Sequence, residues 1–348
     1  MSSLAGRVPV AAAPFATGSV AVKPYLHDEL PPVERVAELL HQAALADEAG
    51  YDGLVLPEHH AGVLPGYLPA PAAAVGWVLA RTAGLWAAPC PTLLLLRPTL
   101  LVAAELAWLA AAFPGRVGAA FAAGTPGAEF TLAGAPAGDL ADRFGQELTR
   151  AARVLRGAGE AGPGGMLAGD AAVGLLAGHP LPLLSAASSL TACRRAARAG
   201  PGLLLDAEIS PAVASQRISA YRAAGGSGPA VLTRKAWLGA LPRDLIDRQQ
   251  RAYLRRAREA GRPFQPRRAE ETGLVWGDAA SVTSGLCDQL TAAGADAVIL
   301  QLHLPGISAD AARGQVERIG AEVLPGLRGR FGAPSARPAT AATDGGNQ

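Results

Sequence analysis

Two adjacent histidines follow a glutamate in the segment VLPEHHAG, residues 55–62, at the point where an apolar run ends. An imidazole can act as a general acid or base near neutral pH, because its unperturbed pKa is about 6.5. Glu58, His59 and His60 are therefore the first candidate catalytic residues. A histidine pair at a strand end can also do no more than satisfy hydrogen bonds at the rim of a fold, so that alternative stays open.

Metal binding is a weaker interpretation of the same segment. Neighbouring residues on a strand point to opposite faces, and no further cluster of histidine, cysteine or aspartate shows ligand spacing. We therefore expect no metal site. Cys90, Cys193 and Cys287 lie far apart without a CxxC pair, which is typical of a protein in a reducing cytoplasm.

A second group of candidate residues carries hydroxyls at the start of a predicted helix, in the segment SAASSLT, residues 185–191. Its members are Ser185, Ser188, Ser189 and Thr191. One of the serines can simply cap the helix, which the pattern predicts in any case. The same geometry presents free amides and the positive end of the helix dipole, so a phosphate could bind there instead.

The elements that must position these residues form eight strand–helix alternations along the chain. The predicted strands cover residues 7–13, 51–58, 85–96, 116–124, 181–188, 201–208, 228–239 and 296–306. Such an alternation indicates an α/β protein with a parallel sheet. Eight units predict a closed (β/α)8 TIM barrel, because open doubly wound sheets usually have five or six strands. Side chains at the carboxyl ends of the strands line the site in such barrels, which brings the candidates above to one mouth.

Two segments interrupt the alternation. Residues 157–182 are rich in glycine and proline and form an insertion between the fourth helix and the fifth strand. Residues 242–268 are strongly charged and read as a helix followed by a linker. Segments of this length are often functional lids or mobile insertions. We expect residues 1–332 to form a single domain and residues 333–348 to form a disordered tail.

Charge and hydropathy exclude several classes of function. The formal net charge is +2 without a concentrated basic face, so we expect no nucleic-acid partner. The most apolar region, residues 93–113, is interrupted by Arg97, Pro98 and Glu105, so we expect no membrane span and no signal peptide. The sequence contains no GxSxG elbow, P-loop or well-placed GxGxxG, which argues against hydrolases and nucleotide kinases.

Five blocks in order resemble the luciferase-like flavin-dependent oxidoreductases, a family of (β/α)8 barrels. The segment ADEAGYDGLVLPEHH is similar to the family's A-E-x-G-F-D-x-x-W-x-x-E-H-H. LAWLAAAFPGRVGAAFAAGTPGAEFTLAG follows the family's L-x-x-L-D-x-x-S-x-G-R-x-x-x-G-x-x-x-G…E-F-x-x-x-G, although Ala120 stands at the middle glycine. DRFGQELTRAARVL, SAASSLTACRRAARAG and AGADAVILQLHLPG resemble later segments. The resemblance extends from about Pro32 to Leu327.

This resemblance implies a reduced flavin at the barrel mouth, either reduced FMN that reacts with O2 or the deazaflavin F420 that transfers a hydride. His59 and His60 correspond to the family's histidine pair, and Gly124 to the glycine after the fourth strand. The segment that makes the phosphate contacts contains Ser185, Ser188, Ser189 and Thr191. The partners we expect are O2, a separate flavin reductase and a small organic substrate, which we expect to be partly apolar because the predicted loops at the mouth carry apolar side chains. The expected state is a cytoplasmic homodimer.

The main departure from the family pattern is Ala123, at a cofactor-binding position where many members carry an arginine that pairs with phosphate. Losing a charge-assisted hydrogen bond would weaken phosphate binding roughly ten- to hundredfold. This departure keeps open a non-catalytic barrel subunit that no longer holds the cofactor. A cofactor-free or metal-assisted lyase that uses Glu58, His59 and His60 is a third hypothesis.

Overall fold

The computed structural model describes residues 12–24, 26–27, 29–63, 67–259, 265–266, 273–332 and 334. The strands are β1 (Val20–Lys23), β2 (Gly53–Leu56), β3 (Trp86–Pro89), β4 (Thr92–Leu93), β5 (Ala119–Ala122), β6 (Leu183–Ala186), β7 (Gly202–Leu205), β8 (Ala230–Leu238), β9 (Val275–Gly277) and β10 (Ala297–Gln301). The helices are α1 (Pro32–Glu48), α2 (Pro71–Arg81), α3 (Thr99–Ala112), α4 (Ala128–Ala133), α5 (Leu140–Val154), α6 (Ala171–Leu175), α7 (Leu190–Ala199), α8 (Pro211–Ala223), α9 (Arg243–Glu259), α10 (Ala279–Ala293), α11 (Ala309–Glu322) and α12 (Leu324–Phe331).

The strands form one parallel sheet in the order β3-β2-β1-β10-β8-β7-β6-β5-β4, with β9 paired to β8. The sheet closes where β3 meets the chain just before β5. There the Ala87 amide donates to the Arg116 carbonyl at 2.8 Å, and the Gly118 amide donates to the Ala87 carbonyl at 3.1 Å. The structure therefore confirms the predicted barrel, in which β4 continues β3 towards the mouth.

The interior of the barrel is filled from its lower end by aromatic side chains. Phe15 and Trp86 are buried there and pack edge to face, with ring centroids 4.8 Å apart. Gly53 pairs in register with Trp86, and a Cβ at residue 53 would lie 2.2 Å from carbon atoms of the indole ring. Only glycine leaves room for the indole at this position, so the lower half of the barrel is a packed core.

The first predicted strand was placed too early in the sequence. The structure places the first barrel strand at Val20–Lys23, in register with Val298–Gln301 of β10. Residues 7–11 of the predicted strand lie outside the described residues. The following residues include Ala12 and Phe15, which pack in the lower core of the barrel. Ala12 and Phe15 are thus apolar because they pack inside the lower end of the barrel, and they do not belong to a barrel strand.

Both irregular segments contain helix. The insertion at residues 157–182 forms a single 3-10 turn at Gly159–Ala161 and the short helix α6. The charged segment forms α9, whereas residues 260–264 and 267–268 of the predicted linker lie outside the described residues. The predicted tail also lies outside them, apart from residue 334. Among the described residues, none of the helices combines the length and apolar character that a membrane crossing requires.

Candidate active site

Glu58 lies two residues beyond β2 and ties this strand to the β3–β4 connection. Its backbone amide donates to the Pro91 carbonyl at 3.0 Å. Its side chain is fully buried, and both carboxylate oxygens are engaged. Oε1 lies 2.7 Å from Nε2 of His60, and Oε2 accepts a hydrogen bond from the Leu93 amide at 2.9 Å. Glu58 therefore fixes the orientation of one imidazole and joins two strand ends.

A second buried carboxylate, Glu129 in the first turn of α4, holds the other histidine. Its Oε1 lies 3.0 Å from Nδ1 of His59 and accepts the His60 backbone amide at 2.9 Å. The sequence pattern places Glu129 at the mouth, in the loop after the fourth predicted strand, but its contact with His59, 70 residues away, was not predicted. Its place in the family's E-F motif is the signal that could have identified it.

Each imidazole at the barrel mouth is thus fixed by its own buried carboxylate, while the rings themselves stay partly accessible. The exposed side-chain fractions are 15% for His59 and 19% for His60. A carboxylate partner sets the orientation and tautomer of an imidazole. Because Nε2 of His60 is held by Glu58, Nδ1 is the atom through which His60 can exchange a proton with a bound molecule.

Two further side chains extend this pair across the mouth. The Tyr67 ring packs perpendicular to the His59 ring, with the centroids 4.8 Å apart. The Tyr67 hydroxyl accepts a hydrogen bond from Nζ of Lys23 at 2.8 Å. Lys23 ends β1, so residues from neighbouring strand ends meet here, as the barrel architecture requires. Within the described part of the chain, no group of three or more His, Cys, Asp or Glu side chains is placed to hold a metal ion.

The predicted phosphate-binding hydroxyls divide into two sets. Ser188, Ser189 and Thr191 are exposed together at the beginning of α7. Ser189 is the helix cap, because its Oγ accepts the Ala192 amide at 3.2 Å. Ser185 lies apart from them, buried on β6 next to Leu184, whose side chain faces the interior of the barrel. Strand alternation directs Ser185 towards the helices, away from the mouth.

Gly124 has a structural role at the end of β5. Its φ is +77°, and a Cβ there would lie 3.0 Å from Cε2 of Phe130. Phe130 is buried and directly follows Glu129, so the glycine permits α4 to pack over the strand end and to bring that carboxylate to His59. Ala123 is half-buried beside it. The cofactor-binding roles of Ala123 and Gly124 stay predictions.

His303, just after β10, is a buried neutral group beneath the mouth. Burial lowers its pKa to about 4, although Nδ1 lies 3.2 Å from the Lys23 carbonyl. The unfolded chain, with a histidine pKa near 6.5, therefore binds more protons than the folded protein between about pH 6.5 and 4.

From this linkage we expect the free energy of unfolding to fall as the pH drops from about 6.5 to 4, with His303 contributing up to roughly 1.4 kcal/mol per pH unit. Denaturant unfolding at several pH values measures the slope. In His303→Gln, which keeps a hydrogen-bonding group, the slope should decrease. An unchanged slope in this variant would show that His303 does not titrate on unfolding.

Two cavities among the described residues lie away from the histidines. A groove of about 1070 Å³ runs along the outer wall between α5 and α7 and is lined by Arg150, Arg153, Arg195 and Arg198. A smaller cavity of about 440 Å³ lies at the lower end of the barrel, beside Phe15. The candidate chemistry is concentrated at the mouth, so neither cavity identifies the active site.

Comparison with known proteins identifies the family. The family described as luciferase-like monooxygenase matches residues 16–297. The chain belongs to this family. A search among curated protein sequences finds no significant match. The luciferase-like chain is an enzyme of a family of monooxygenases and oxidoreductases that depend on flavin or F420.

Solved structures share the luciferase-like fold at low sequence identity. One of them is the oxygenating constituent of 3,6-diketocamphane monooxygenase from Pseudomonas putida, in complex with FMN. It has 16% sequence identity and a TM-score of 0.69, and the match covers 88% of this chain and 98% of that chain. An F420-dependent secondary alcohol dehydrogenase with an F420–acetone adduct has 17% identity and a TM-score of 0.70, and the match covers 90% of this chain and 99% of that chain. Monooxygenase RslO1 from Streptomyces bottropensis has 20% identity and a TM-score of 0.66, and the match covers 88% of this chain and 99% of that chain. At these identities the likeness supports the fold alone.

Proposed function

We propose that this luciferase-like enzyme is a monooxygenase that uses reduced FMN and O2 to oxidise a small, partly apolar organic substrate. The observation that carries the proposal is the pair of imidazoles at the barrel mouth, each fixed by a buried carboxylate. Reduced flavin, when bound, supplies the redox chemistry. The chain supplies orientation and a proton-transfer group at Nδ1 of His60.

The residues at the mouth fit an elongated, phosphorylated cofactor. The beginning of α7 offers the amides of Leu190 and Thr191, which as the first helical residues have no carbonyl four residues earlier in the helix to bond. In the barrel, β6 lies three strands from β2, by way of β3 and β5. That is roughly 14 Å along the sheet at the usual strand spacing. A ring beside His60 with a phosphate at Ser188, Ser189 and Thr191 fits this separation.

F420-dependent hydride transfer is the second candidate function. The similarity to an F420-dependent alcohol dehydrogenase supports it. Ala123, where an arginine contact to a cofactor phosphate is absent, does not distinguish the two cofactors, because both carry a phosphate group. Because of Ala123, a non-catalytic subunit is a further alternative. The presence of both histidines and of their carboxylate partners argues against it. We also propose a separate flavin reductase, a homodimer and a cytoplasmic location.

Anaerobic titration with reduced FMN, oxidised FMN and F420 tests the proposal. We expect reduced FMN to bind more tightly than reduced riboflavin, because riboflavin lacks the phosphate. Thr191→Glu places a negative charge on the phosphate turn and should weaken reduced FMN binding roughly tenfold or more, with little effect on riboflavin. Thr149→Glu, an equally exposed threonine on α5, is the matched control.

The outcomes separate the alternatives. Turnover that requires O2 with reduced FMN supports the monooxygenase, and anaerobic hydride transfer with reduced F420 supports the second candidate. If none of these compounds binds, the flavin-dependent function is wrong. If Thr191→Glu leaves the FMN–riboflavin difference intact, the phosphate does not lie at the beginning of α7.

A further inference from the structure

Three polar side chains form a row on neighbouring strands at the same level of the barrel. Lys23 of β1 is in register with Gln301 of β10, which is in register with Lys235 of β8. Ala21 and Ile299, two residues before Lys23 and Gln301, belong to the core inside the barrel. Because side chains on a strand alternate between faces, the row points into the upper barrel, above that apolar core.

The two cations of the row differ in their partners. Lys235 is buried and forms an ion pair with Glu208. Lys23 is half-buried, and its Nζ donates to the neutral Tyr67 hydroxyl at 2.8 Å. Among the described residues, no carboxylate lies within ion-pair distance of Lys23. The neighbouring thiol of Cys90 does not neutralise it, because burial raises the pKa of Cys90 to about 12.

The carboxylates on this side of the mouth are engaged with the histidines. Glu58 is bonded to His60 and to the Leu93 amide, and Glu129 to His59 and the His60 amide. A partly desolvated ammonium that pairs with none of the described carboxylates is unfavourable, whereas an anionic ligand would form a charge-assisted hydrogen bond with it. The lysine is also close to the candidate catalytic residues, since Tyr67, whose hydroxyl accepts its hydrogen bond, packs its ring directly against His59.

We propose that Lys23, together with Tyr67, binds an anionic oxygen of the substrate, either a carboxylate or an ionised phenol. This inference rests on the proposed function, because it assigns the substrate class of the same mouth. The anion at Lys23 orients the remainder of the substrate towards the histidine pair. Gln301 lies next in the row and offers an amide to the same group. Lys235 is already neutralised and takes no part in the charge recognition.

Binding of small anions to the purified protein tests this assignment, with benzoate and its neutral analogue benzamide as probes. In the wild-type protein we expect benzoate to bind more tightly than benzamide. Lys23→Gln should weaken benzoate binding roughly tenfold or more and leave benzamide binding within about twofold. Lys23→Arg keeps the charge and should retain most of the benzoate affinity. Comparison of 4-nitrophenolate with nitrobenzene distinguishes a phenolate from a carboxylate preference.

Arg97→Gln is the matched control, because Arg97 lies at the same end of the barrel and already pairs with Glu105 at 2.9 Å. It should leave benzoate binding unchanged. Equal binding of the charged and neutral probes, or no effect of Lys23→Gln on charged probes, would overturn the inference. The inference would also be overturned if Lys23→Gln weakened the binding of reduced FMN and left benzoate binding unchanged. If none of the flavin compounds binds but benzoate binding still depends on Lys23, the proposed function is wrong and the inference about Lys23 stands.

Discussion

Replacing His60 with alanine is expected to lower turnover by roughly 10²- to 10⁴-fold, the usual contribution of a positioned acid–base group. The imidazole is held by a fully buried carboxylate at 2.7 Å, and its Nδ1 is the atom available for proton exchange with a bound molecule. The side chain is 19% exposed, so its removal leaves little of the core unfilled. Oxidation of the reduced cofactor and formation of product are the measurements, with thermal unfolding to confirm that the protein stays folded.

His179→Ala provides the matched control for this variant. His179 is exposed in the insertion between α6 and β6, away from the mouth, so its loss should leave turnover unchanged. If His60→Ala retains wild-type turnover, the histidine pair is only a rim feature that satisfies hydrogen bonds.

Glu58→Ala should reduce both stability and turnover, because both oxygens of a fully buried carboxylate are lost. The Leu93 amide loses its acceptor, and a buried unsatisfied donor costs about 1–3 kcal/mol, to which the vacated volume adds. His60 also loses the partner that orients it. Denaturant unfolding gives the change in stability, and cofactor oxidation gives the change in turnover.

Glu58→Gln separates the two effects. The glutamine oxygen can still accept the Leu93 amide, so most of the stability should return. Turnover should stay low, because the glutamine NH2 group then faces Nε2 of His60 as a donor, which moves the imidazole proton to Nδ1. Glu105→Ala removes an exposed carboxylate paired with Arg97 and should change stability by less than about 1 kcal/mol. Full activity of Glu58→Gln would contradict the role assigned to the carboxylate.

The barrel could be predicted from the sequence because strands of a parallel sheet are buried on both faces and leave continuous apolar runs. The same rule misplaced the first strand, since residues 7–13 and Val20–Lys23 are both short apolar runs. Val20–Lys23 is the barrel strand because it pairs with β10, whose residues lie 278 positions away in the sequence. The strand β9 was missed because three residues carry no periodic signal.

The candidate site was predictable where it is local in sequence. Glu58, His59 and His60 are consecutive, so one strand end brings them to the mouth. Glu129, after β5, and Lys23, on β1, join them through contacts between different strand ends. The motif around Glu129 indicates its place at the mouth, whereas nothing in the local sequence marks Lys23.

The orientation of Ser185 is a different case. The sequence alone could not orient Ser185, because β6 is apolar on both faces; the position of Leu184 inside the barrel in the structure directs Ser185 towards the helices.

A crystal structure of the protein with FMN bound would test the central proposal most directly. We predict electron density for the isoalloxazine ring at the carboxyl end of the barrel against His59 and His60, with the phosphate at the beginning of α7. The ring found elsewhere, for example in the arginine-lined groove between α5 and α7, would contradict the account, as would a mouth filled by the protein's own side chains.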